Sequence, residues 1–363
     1  MNFYEMKSDW PEVKKRWEAW WNFELYDRPL LQITAPKSKV FIPAELRDFR
    51  YEETDFARKY TDPDYMTAKT LYEYYGTWFG GEALSVLSHG WSVGHALVMG
   101  CEPKYAPDTI WTDPLPVEAG RAYPEIRFDE NNHWWQKILS MTRRVAQGSA
   151  QRYFVMPTWG NHAGDNLALC RGGEALLCDL IEDPDWVKNA VQTVSDAMLL
   201  QFEKLFELAA LTGLEGTVNY VSCWSPKKTI AFDCDFSCMI SPAQFRDIFL
   251  PPLLETMWTV DHCLYHLDGV AAMKTHLDTL LAVKEINAFQ WLPGAGHEEI
   301  REWIPLLQKM QAHKKSIVCY ARPEEVLPLL QELRGEGLCV CTRTDSEESG
   351  QKLLEAVARM YSA

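Results

Sequence analysis

Short apolar runs recur along this chain and alternate with longer segments of helical period, and this alternation limits the possible folds more than any other feature. Eight runs read as buried strands, at 83–87, 153–157, 216–222, 234–239, 263–267, 286–291, 316–320 and 338–342. Amphipathic segments with apolar residues three to four positions apart lie at 186–211, 242–260, 276–283, 298–313, 323–334 and 346–361. Strands separated mostly by helices predict an α/β protein with a parallel sheet.

The number of strands favours a closed (β/α)8 TIM barrel over other parallel sheets. The alternative is an open doubly wound sheet, but the chain has neither a G-x-G-x-x-G turn nor a Walker A loop. Residues 1–80 read as helices and loops around one apolar run at 30–34. We therefore expect a single structural domain in which 1–80 form an N-terminal helical extension packed on a barrel of residues 81–363.

Charge and hydropathy exclude several classes of partner. The net charge is -15 and no Lys/Arg run stands out, so we expect no nucleic-acid or anionic-membrane partner. The polar N-terminal segment lacks the apolar core of a signal peptide, and no apolar run approaches the roughly 18 residues of a membrane span. These features predict a cytoplasmic protein whose ten cysteines are reduced thiols.

The run at 263–267 ends in His266 and Asp268, with one residue between them and Gly269 behind. Residues i and i+2 of a strand point to the same side, so the two side chains should project together. That pair suits a metal ion or a histidine oriented by a carboxylate. Taken alone, an H-x-D pair more often caps a strand and starts a turn.

Other strand ends carry polar or aromatic residues of the same kind. In a barrel, function is located where strands end and βα loops begin, so these side chains are candidates for one site. They are Trp159, Asn161, His162 and Asp165 after the second run, Cys223 and Trp224 after the third, Asp233 and Asp235 at the fourth, Gln290 and Trp291 at the sixth, and Cys341 and Arg343 at the eighth.

Three passages together resemble the uroporphyrinogen decarboxylase superfamily, including its cobalamin-linked methyltransferases. The first runs from Pro157 to Asp165 and continues through R-G-G-E at 171–174 and I-E-D-P-D-W-V at 181–187. The second is S-P-A-Q-F at 241–245 with L-P at 250–251, and the third is Y-H-L-D-G at 265–269. The resemblance covers roughly residues 80 to 360 and implies a TIM barrel.

The resemblance implies a zinc-assisted methyltransferase component of a corrinoid-dependent system. In the zinc-bearing methyltransferases the metal is held by a His and two Cys. His266 matches the first ligand, Asp268 stands where the family has a Cys, and Cys341 falls near the last ligand. The chain has no D-x-H-x-x-G corrinoid signature, so cobalamin would be carried by a separate corrinoid protein.

The expected reaction moves a methyl group between a small methoxylated or N-methylated molecule and that corrinoid protein. His162 and Asp235 are expected to orient the substrate or supply a proton, beside His266. The predicted substrate-binding residues are Trp159, Asn161, Trp224, Gln290, Trp291 and Arg343.

Two other functions stay open. One is a lyase or decarboxylase of a small non-porphyrin substrate, with His266 and Asp268 as an acid/base pair. Uroporphyrinogen itself is not an expected substrate, because the arginine-rich N-terminal signature of the decarboxylase is missing. The other is a non-catalytic barrel that binds a corrinoid protein.

Overall fold

The computed structural model describes residues 2–50, 54–88, 91–159 and 162–362 of the chain, which adopt a mixed α/β fold. The strands are β1 (Leu30–Pro36), β2 (Thr77–Gly81), β3 (Val86–Leu87), β4 (Pro103–Tyr105), β5 (Ile110–Thr112), β6 (Phe154–Val155), β7 (Thr217–Val218), β8 (Trp224–Ser225), β9 (Thr229–Phe232), β10 (His262–Asp268), β11 (Ile286–Leu292), β12 (Ser316–Tyr320) and β13 (Leu338–Arg343).

Helices alternate with these strands over most of the chain. The α-helices are α1 (Phe3–Met6), α2 (Trp10–Trp21), α3 (Phe56–Thr61), α4 (Pro63–Gly76), α5 (Gly94–Val98), α6 (His133–Gly148), α7 (Ala163–Arg171), α8 (Gly173–Glu182), α9 (Pro184–Ala209), α10 (Pro242–Gln244), α11 (Leu250–Met257), α12 (Gly269–Ala282), α13 (Ile304–Ala312), α14 (Pro323–Glu332) and α15 (Glu347–Tyr361). Short 3-10 turns lie at Ala44–Leu46, Ala210–Thr212, Asp235–Met239 and Ile300–Trp303, and a π-helical turn lies at Phe245–Phe249.

The main sheet has seven strands in the order β2-β1-β13-β12-β11-β10-β9. All neighbours are parallel except β1 and β2, which are antiparallel. Strands β10 to β13 are mostly buried, which is why they read in the sequence as nearly continuous apolar runs. The parallel sheet and its helices confirm the predicted α/β class.

Closure into an eight-stranded barrel is not shown. In the described ranges, β3 pairs with β6, β4 with β5, and β7 with β8 in separate two-stranded ladders, and no ladder joins the edge strands β2 and β9. The short strands β3, β6 and β7 fall inside the first three predicted runs. The closed (β/α)8 ring therefore stays a prediction.

The fourth predicted strand, 234–239, is wrong. Asp235–Met239 form a 3-10 turn, and the strand beside β10 is β9, which lies just before it. The Asp165 carboxylate accepts hydrogen bonds from the backbone N–H groups of Asp235 (3.1 Å) and Phe236 (2.7 Å). These bonds hold the chain in a turn, so its apolar residues do not continue the sheet.

The apolar run at 30–34, which we assigned to the N-terminal extension, lies inside the main sheet. Strand β1 pairs in parallel with β13 and antiparallel with β2, with Leu30 opposite Cys339. A fully buried Glu82 carboxylate fixes this region, because it accepts two hydrogen bonds of 2.9 Å from Arg28, one of 2.8 Å from the Leu31 N–H and one of 3.2 Å from Arg16.

The tryptophans of α2 pack against the end of the sheet where the parallel strands begin. The Trp21 indole N–H donates to the Trp224 carbonyl (2.8 Å), and its ring stacks on His262 at the start of β10 with centroids 4.7 Å apart. The Ser316 hydroxyl donates to the Trp20 carbonyl (2.5 Å). Helix α2 therefore covers this end of the sheet, and a site can form at the opposite end, where the parallel strands finish.

None of the helices in the ranges given above has the length and apolarity needed to cross a bilayer.

Candidate functional site

The candidate site lies where β10 ends and α12 begins. His266 and Asp268 are partly exposed there, and Gly269 follows with a φ of 78°. That backbone conformation suits glycine and lets the chain turn directly from strand into helix. The sharp turn keeps Asp268 at the carboxyl end of the strand, beside the 3-10 turn that begins at Asp235.

Asp235, His266 and Asp268 form a compact group of potential metal ligands. One ligand atom from each lies within 4.8 Å of the ligand atoms of the other two. Two carboxylates and an imidazole suit Zn²⁺ and related divalent ions, and three protein ligands leave a fourth position open for substrate or water. We refer to these three residues as the Asp–His–Asp group.

The His266 ring is oriented by a hydrogen bond to a neighbouring strand. Its Nδ1 lies 2.5 Å from Gln290 Oε1, and the Gln290 amide donates from Nε2 to the Tyr320 hydroxyl (2.6 Å). Because an amide oxygen only accepts, the proton of His266 belongs on Nδ1, which leaves the Nε2 lone pair for a ligand. Gln290, predicted to bind substrate, therefore contacts His266 and positions its ring.

Burial disfavours ionisation of two carboxyl groups of this site, those of Asp235 and Asp165. It raises the pKa of Asp235, an effect opposed by His266 and increased by Asp268. Burial also raises the pKa of Asp165 well above its usual range, and the nearby Asp233 and Asp235 add to that shift. Several carboxyl groups close together favour the binding of a cation, which relieves their mutual repulsion.

Tyr220 joins the same group of side chains. Its hydroxyl donates to Asp233 Oδ2 (2.8 Å), and its ring lies edge-on to the His266 ring with centroids 6.0 Å apart. Burial raises the Tyr220 pKa well above its usual range, and Asp233 adds to that effect. Tyr220 therefore stays a neutral phenol at neutral pH.

A cavity of about 940 Å³ opens beside the Asp–His–Asp group. We name it the acidic cavity. Its polar lining includes Asp165, Asp233, Asp235 and His266, and its aromatic lining includes Tyr60, Trp91, Trp111, Trp159 and Tyr220. The predicted substrate residue Trp159 is thus at the cavity wall.

A second cavity, of about 620 Å³, is lined by Gln32, Tyr320, Cys341 and Arg343. Cys341 is not in the Asp–His–Asp group. It lies on β13, and β11 and β12 separate that strand from β10 in the sheet. The structure therefore brings Asp235, rather than Cys341, to the two other predicted ligands. Arg343 belongs to this second cavity and not to the acidic one.

His162 caps a helix. It is 1% exposed, and its Nδ1 accepts a hydrogen bond from the Gly164 N–H (2.7 Å) at the start of α7. Burial lowers the His162 pKa to about 3, with a smaller opposing effect from the Phe249 backbone. The imidazole is therefore neutral at neutral pH, and His162 does not line the acidic cavity.

Two of the predicted aromatic residues lie away from both large cavities. Trp224 is fully buried at the far end of the sheet, where its indole N–H donates to the Glu215 carbonyl (2.7 Å) and its ring meets Trp10 edge-on. Trp291 is 1% exposed and packs against Trp303. It follows Gln290 on the same strand, so it points to the opposite face. Asn161 lies outside the described residues.

The prediction from sequence missed part of the site. Tyr60 and Trp111 come from the region before the second predicted strand, where the sequence shows no regular alternation of strands and helices. Tyr220 lies within a predicted strand, but the chain turns there after β7. The only sequence signal was the large number of tryptophans, fifteen in all, which does not distinguish packing from a cavity wall.

Comparison with known proteins shows the fold. No protein-family model and no curated protein matches the chain. Among solved structures, the chain is similar to a methyltransferase from Methanosarcina mazei, with a TM-score of 0.63 and 14% sequence identity. The match covers 97% of this chain and 99% of that one. The chain therefore shares its overall fold, over almost its whole length, with that methyltransferase.

Proposed function

We propose that this chain is the methyltransferase component of a corrinoid-dependent system. It moves a methyl group between a small methoxylated or N-methylated substrate and cobalamin carried by a separate corrinoid protein. The observation that carries the proposal is the Asp–His–Asp group, two of whose members, Asp235 and His266, line the acidic cavity. The fold shared with a methyltransferase is consistent with it.

The donor set fits a zinc ion. The His266 Nδ1 is hydrogen-bonded to Gln290, so its Nε2 is the nitrogen that can bind a metal. Asp235 and Asp268 supply oxygen ligands close to the His266 ring. We propose these three residues as the zinc ligands, with Asp235 in the place first predicted for Cys341. When bound, the zinc ion supplies Lewis-acid chemistry at the substrate atom from which the methyl group is removed.

The chain's own residues shape the rest of the site. Trp159 and Tyr220 present aromatic surface that holds a flat substrate in one plane. Neutral Tyr220 keeps its hydrogen bond to Asp233, so this pair fixes the floor of the cavity beside His266. An aromatic wall also keeps water away from the methyl group while the partner's corrinoid approaches.

We also propose that the fold completes a (β/α)8 barrel around this site. Strand β3 pairs with β6, β6 lies against β7, and β7 lies against β9 at the edge of the main sheet. These contacts follow the order that a closed barrel requires.

The metal is tested by zinc analysis of purified protein after dialysis. We expect about one zinc per chain, and we expect it to be lost in His266→Ala and Asp268→Ala because each change removes a ligand. Asp235→Ala against Cys341→Ala identifies the third ligand, with loss expected only in the first. Loss of zinc in Cys341→Ala with full retention in Asp235→Ala would contradict our ligand set.

The reaction is tested by following methylcobalamin formation from reduced cobalamin with a panel of methyl ethers and methylamines. We expect at least one donor class to react, and His266→Ala to lower the rate by about a hundredfold or more. The control is His313→Ala, an exposed histidine at the end of α13. Release of CO2 from an added acid without any methyl transfer would instead support a lyase.

A further inference from the structure

The charged side chains of the acidic cavity are of one sign. Asp108, Asp165, Asp233 and Asp235 line it, and no Lys or Arg stands among its described lining residues. A substrate carboxylate near Asp108, which is not one of the proposed zinc ligands, would meet a like charge, whereas a positive charge would be attracted there.

The aromatic wall independently suits a positive charge. Tyr60, Trp91, Trp111, Trp159 and Tyr220 offer ring surface to the same space. Such rings attract an ammonium group over their faces and also stack on a flat ring. A cavity lined by aromatic rings and carboxylates suits a ligand that is both aromatic and positively charged.

Two separate parts of the chain contribute acidic residues to the cavity lining. The Asp–His–Asp group belongs to β10 and the 3-10 turn, whereas Asp108 lies in the turn between β4 and β5. Trp111 follows on β5 and is 61% exposed, and Asp108 is close enough to Tyr60 to act on its phenol electrostatically. The exposed Asp108 carboxylate is a second anchor point, separate from the metal ligands. The Lys59 ammonium lies over the nearby Tyr60 ring, 5.4 Å from its centroid, so this region already holds one cation.

From these features we infer that the methyl donor is an aryl methyl ether that also carries an ammonium group. The methoxyl group lies at the Asp–His–Asp group, the ring lies along the aromatic wall, and the ammonium group lies toward Asp108. The inference rests on the proposed function and names its substrate class.

The reaction then balances without a further reactant. The corrinoid partner, when bound, would supply the electron pair that forms the new bond to the methyl carbon and would accept the methyl group. The electron pair of the broken carbon–oxygen bond stays on oxygen, which leaves as a phenolate. The ammonium group keeps its protons and its charge throughout.

The test measures binding of three ligands that differ in one group: 4-methoxyphenethylamine, 4-methoxyphenethyl alcohol and 4-methoxyphenylacetate. Quenching of tryptophan fluorescence or calorimetry gives the affinities without cobalamin. We expect the cation to bind about tenfold tighter than the alcohol, because one carboxylate at close range contributes that much. We expect the carboxylate to bind more weakly than the alcohol.

Asp108→Asn is the diagnostic variant, because Asp108 is exposed and outside the metal ligands. We expect it to weaken the amine severalfold and to leave the alcohol unchanged. Asp113→Asn is the matched control. That carboxylate is also exposed and lies just after β5, but it pairs with Lys104 and does not line the cavity.

Equal binding of amine and alcohol, tightest binding of the carboxylate, or no binding of any of the three would overturn the inference. If the carboxylate binds best and Arg343→Gln abolishes that preference, the second cavity is the anchor instead. Failure of methyl transfer with every donor, while the amine still binds best, would contradict the proposed function and leave the charge preference standing.

Discussion

His266 is held in one orientation by two hydrogen bonds in series, from its Nδ1 to Gln290 and from Gln290 to Tyr320. Histidines that bind metals commonly have their second nitrogen fixed in this way, and the fixing residue raises the affinity of the site. Gln290 is therefore a positioning residue, and its effect should be visible in metal affinity.

We expect Gln290→Ala to lower zinc affinity by about 10- to 100-fold, because His266 loses the acceptor that fixes its ring. Gln290→Glu should keep most of the affinity, since a carboxylate also accepts from Nδ1. The affinities are measured by competition with a chelating dye. An affinity for Gln290→Ala equal to that of the wild type would show that the hydrogen bond does not organise the site.

At this scale the sequence located His266 and Asp268 by their position at the end of a predicted strand, and it named Asp235 beside the run 234–239, which is a turn. It did not show that Asp235 reaches the other two, because that depends on a turn capped by Asp165 from a distant helix. Trp224 and Trp291 show the opposite kind of error, because both were predicted to bind substrate and both lie away from the two cavities. A tryptophan at a strand end reads the same in sequence whichever face it points to.

At the scale of elements, α7 begins with a histidine that must stay neutral. Nδ1 of His162 accepts the Gly164 N–H, and a protonated imidazole has no lone pair with which to do so. The pKa of His162 is about 3 in the folded chain and 6.5 in an unfolded one. The unfolded chain therefore binds more protons between these values, and stability contributed by neutral His162 is lost as the pH falls through this window.

We expect the free energy of unfolding of the wild type to fall by about 1.4 kcal/mol per pH unit between pH 6 and 4, relative to His162→Asn. Asparagine caps a helix without titrating in this range, so the difference between the two proteins isolates the imidazole. Urea denaturation at a series of pH values gives both curves. The exposed His313→Asn should run parallel to the wild type, and a parallel curve for His162→Asn would refute the assignment.

The elements that could be predicted are those with long buried runs. Strands β10 to β13 agree with the predicted runs to within one residue at most ends. Strand β9 has only four residues, and the run that was read as the strand, 234–239, is the turn that follows it. Apolar periodicity reports burial, and a buried turn leaves the same signal as a buried strand.

At the scale of the whole molecule, the Glu82 carboxylate connects three parts of the N-terminal region. It accepts from Arg16 of α2, from Arg28 before β1 and from the Leu31 backbone within β1. A buried carboxylate with this many donors is satisfied, but removing its charge takes from buried Arg28 the carboxylate that accepts two of its hydrogen bonds.

We expect Glu82→Gln to lower the free energy of unfolding by about 3–5 kcal/mol for that reason. Glu215→Gln is the comparison, since Glu215 pairs with Lys14 on the surface and should matter by about 1 kcal/mol or less. Both are measured by urea denaturation at neutral pH. A loss in Glu82→Gln no larger than in Glu215→Gln would show that water satisfies Arg28 in its place.

The pairing of β1 with β13 also sets an order of events in time. Strand β1 leaves the ribosome early, but its parallel partner is synthesised only near the end of the chain. Helix α2 also stays uncovered until later residues are synthesised, because Trp20 and Trp21 contact Trp224, His262 and Ser316. Contacts so distant in sequence slow folding and leave apolar surface exposed meanwhile. Strand β1 and helix α2 are thus covered only after segments far later in the sequence have been made.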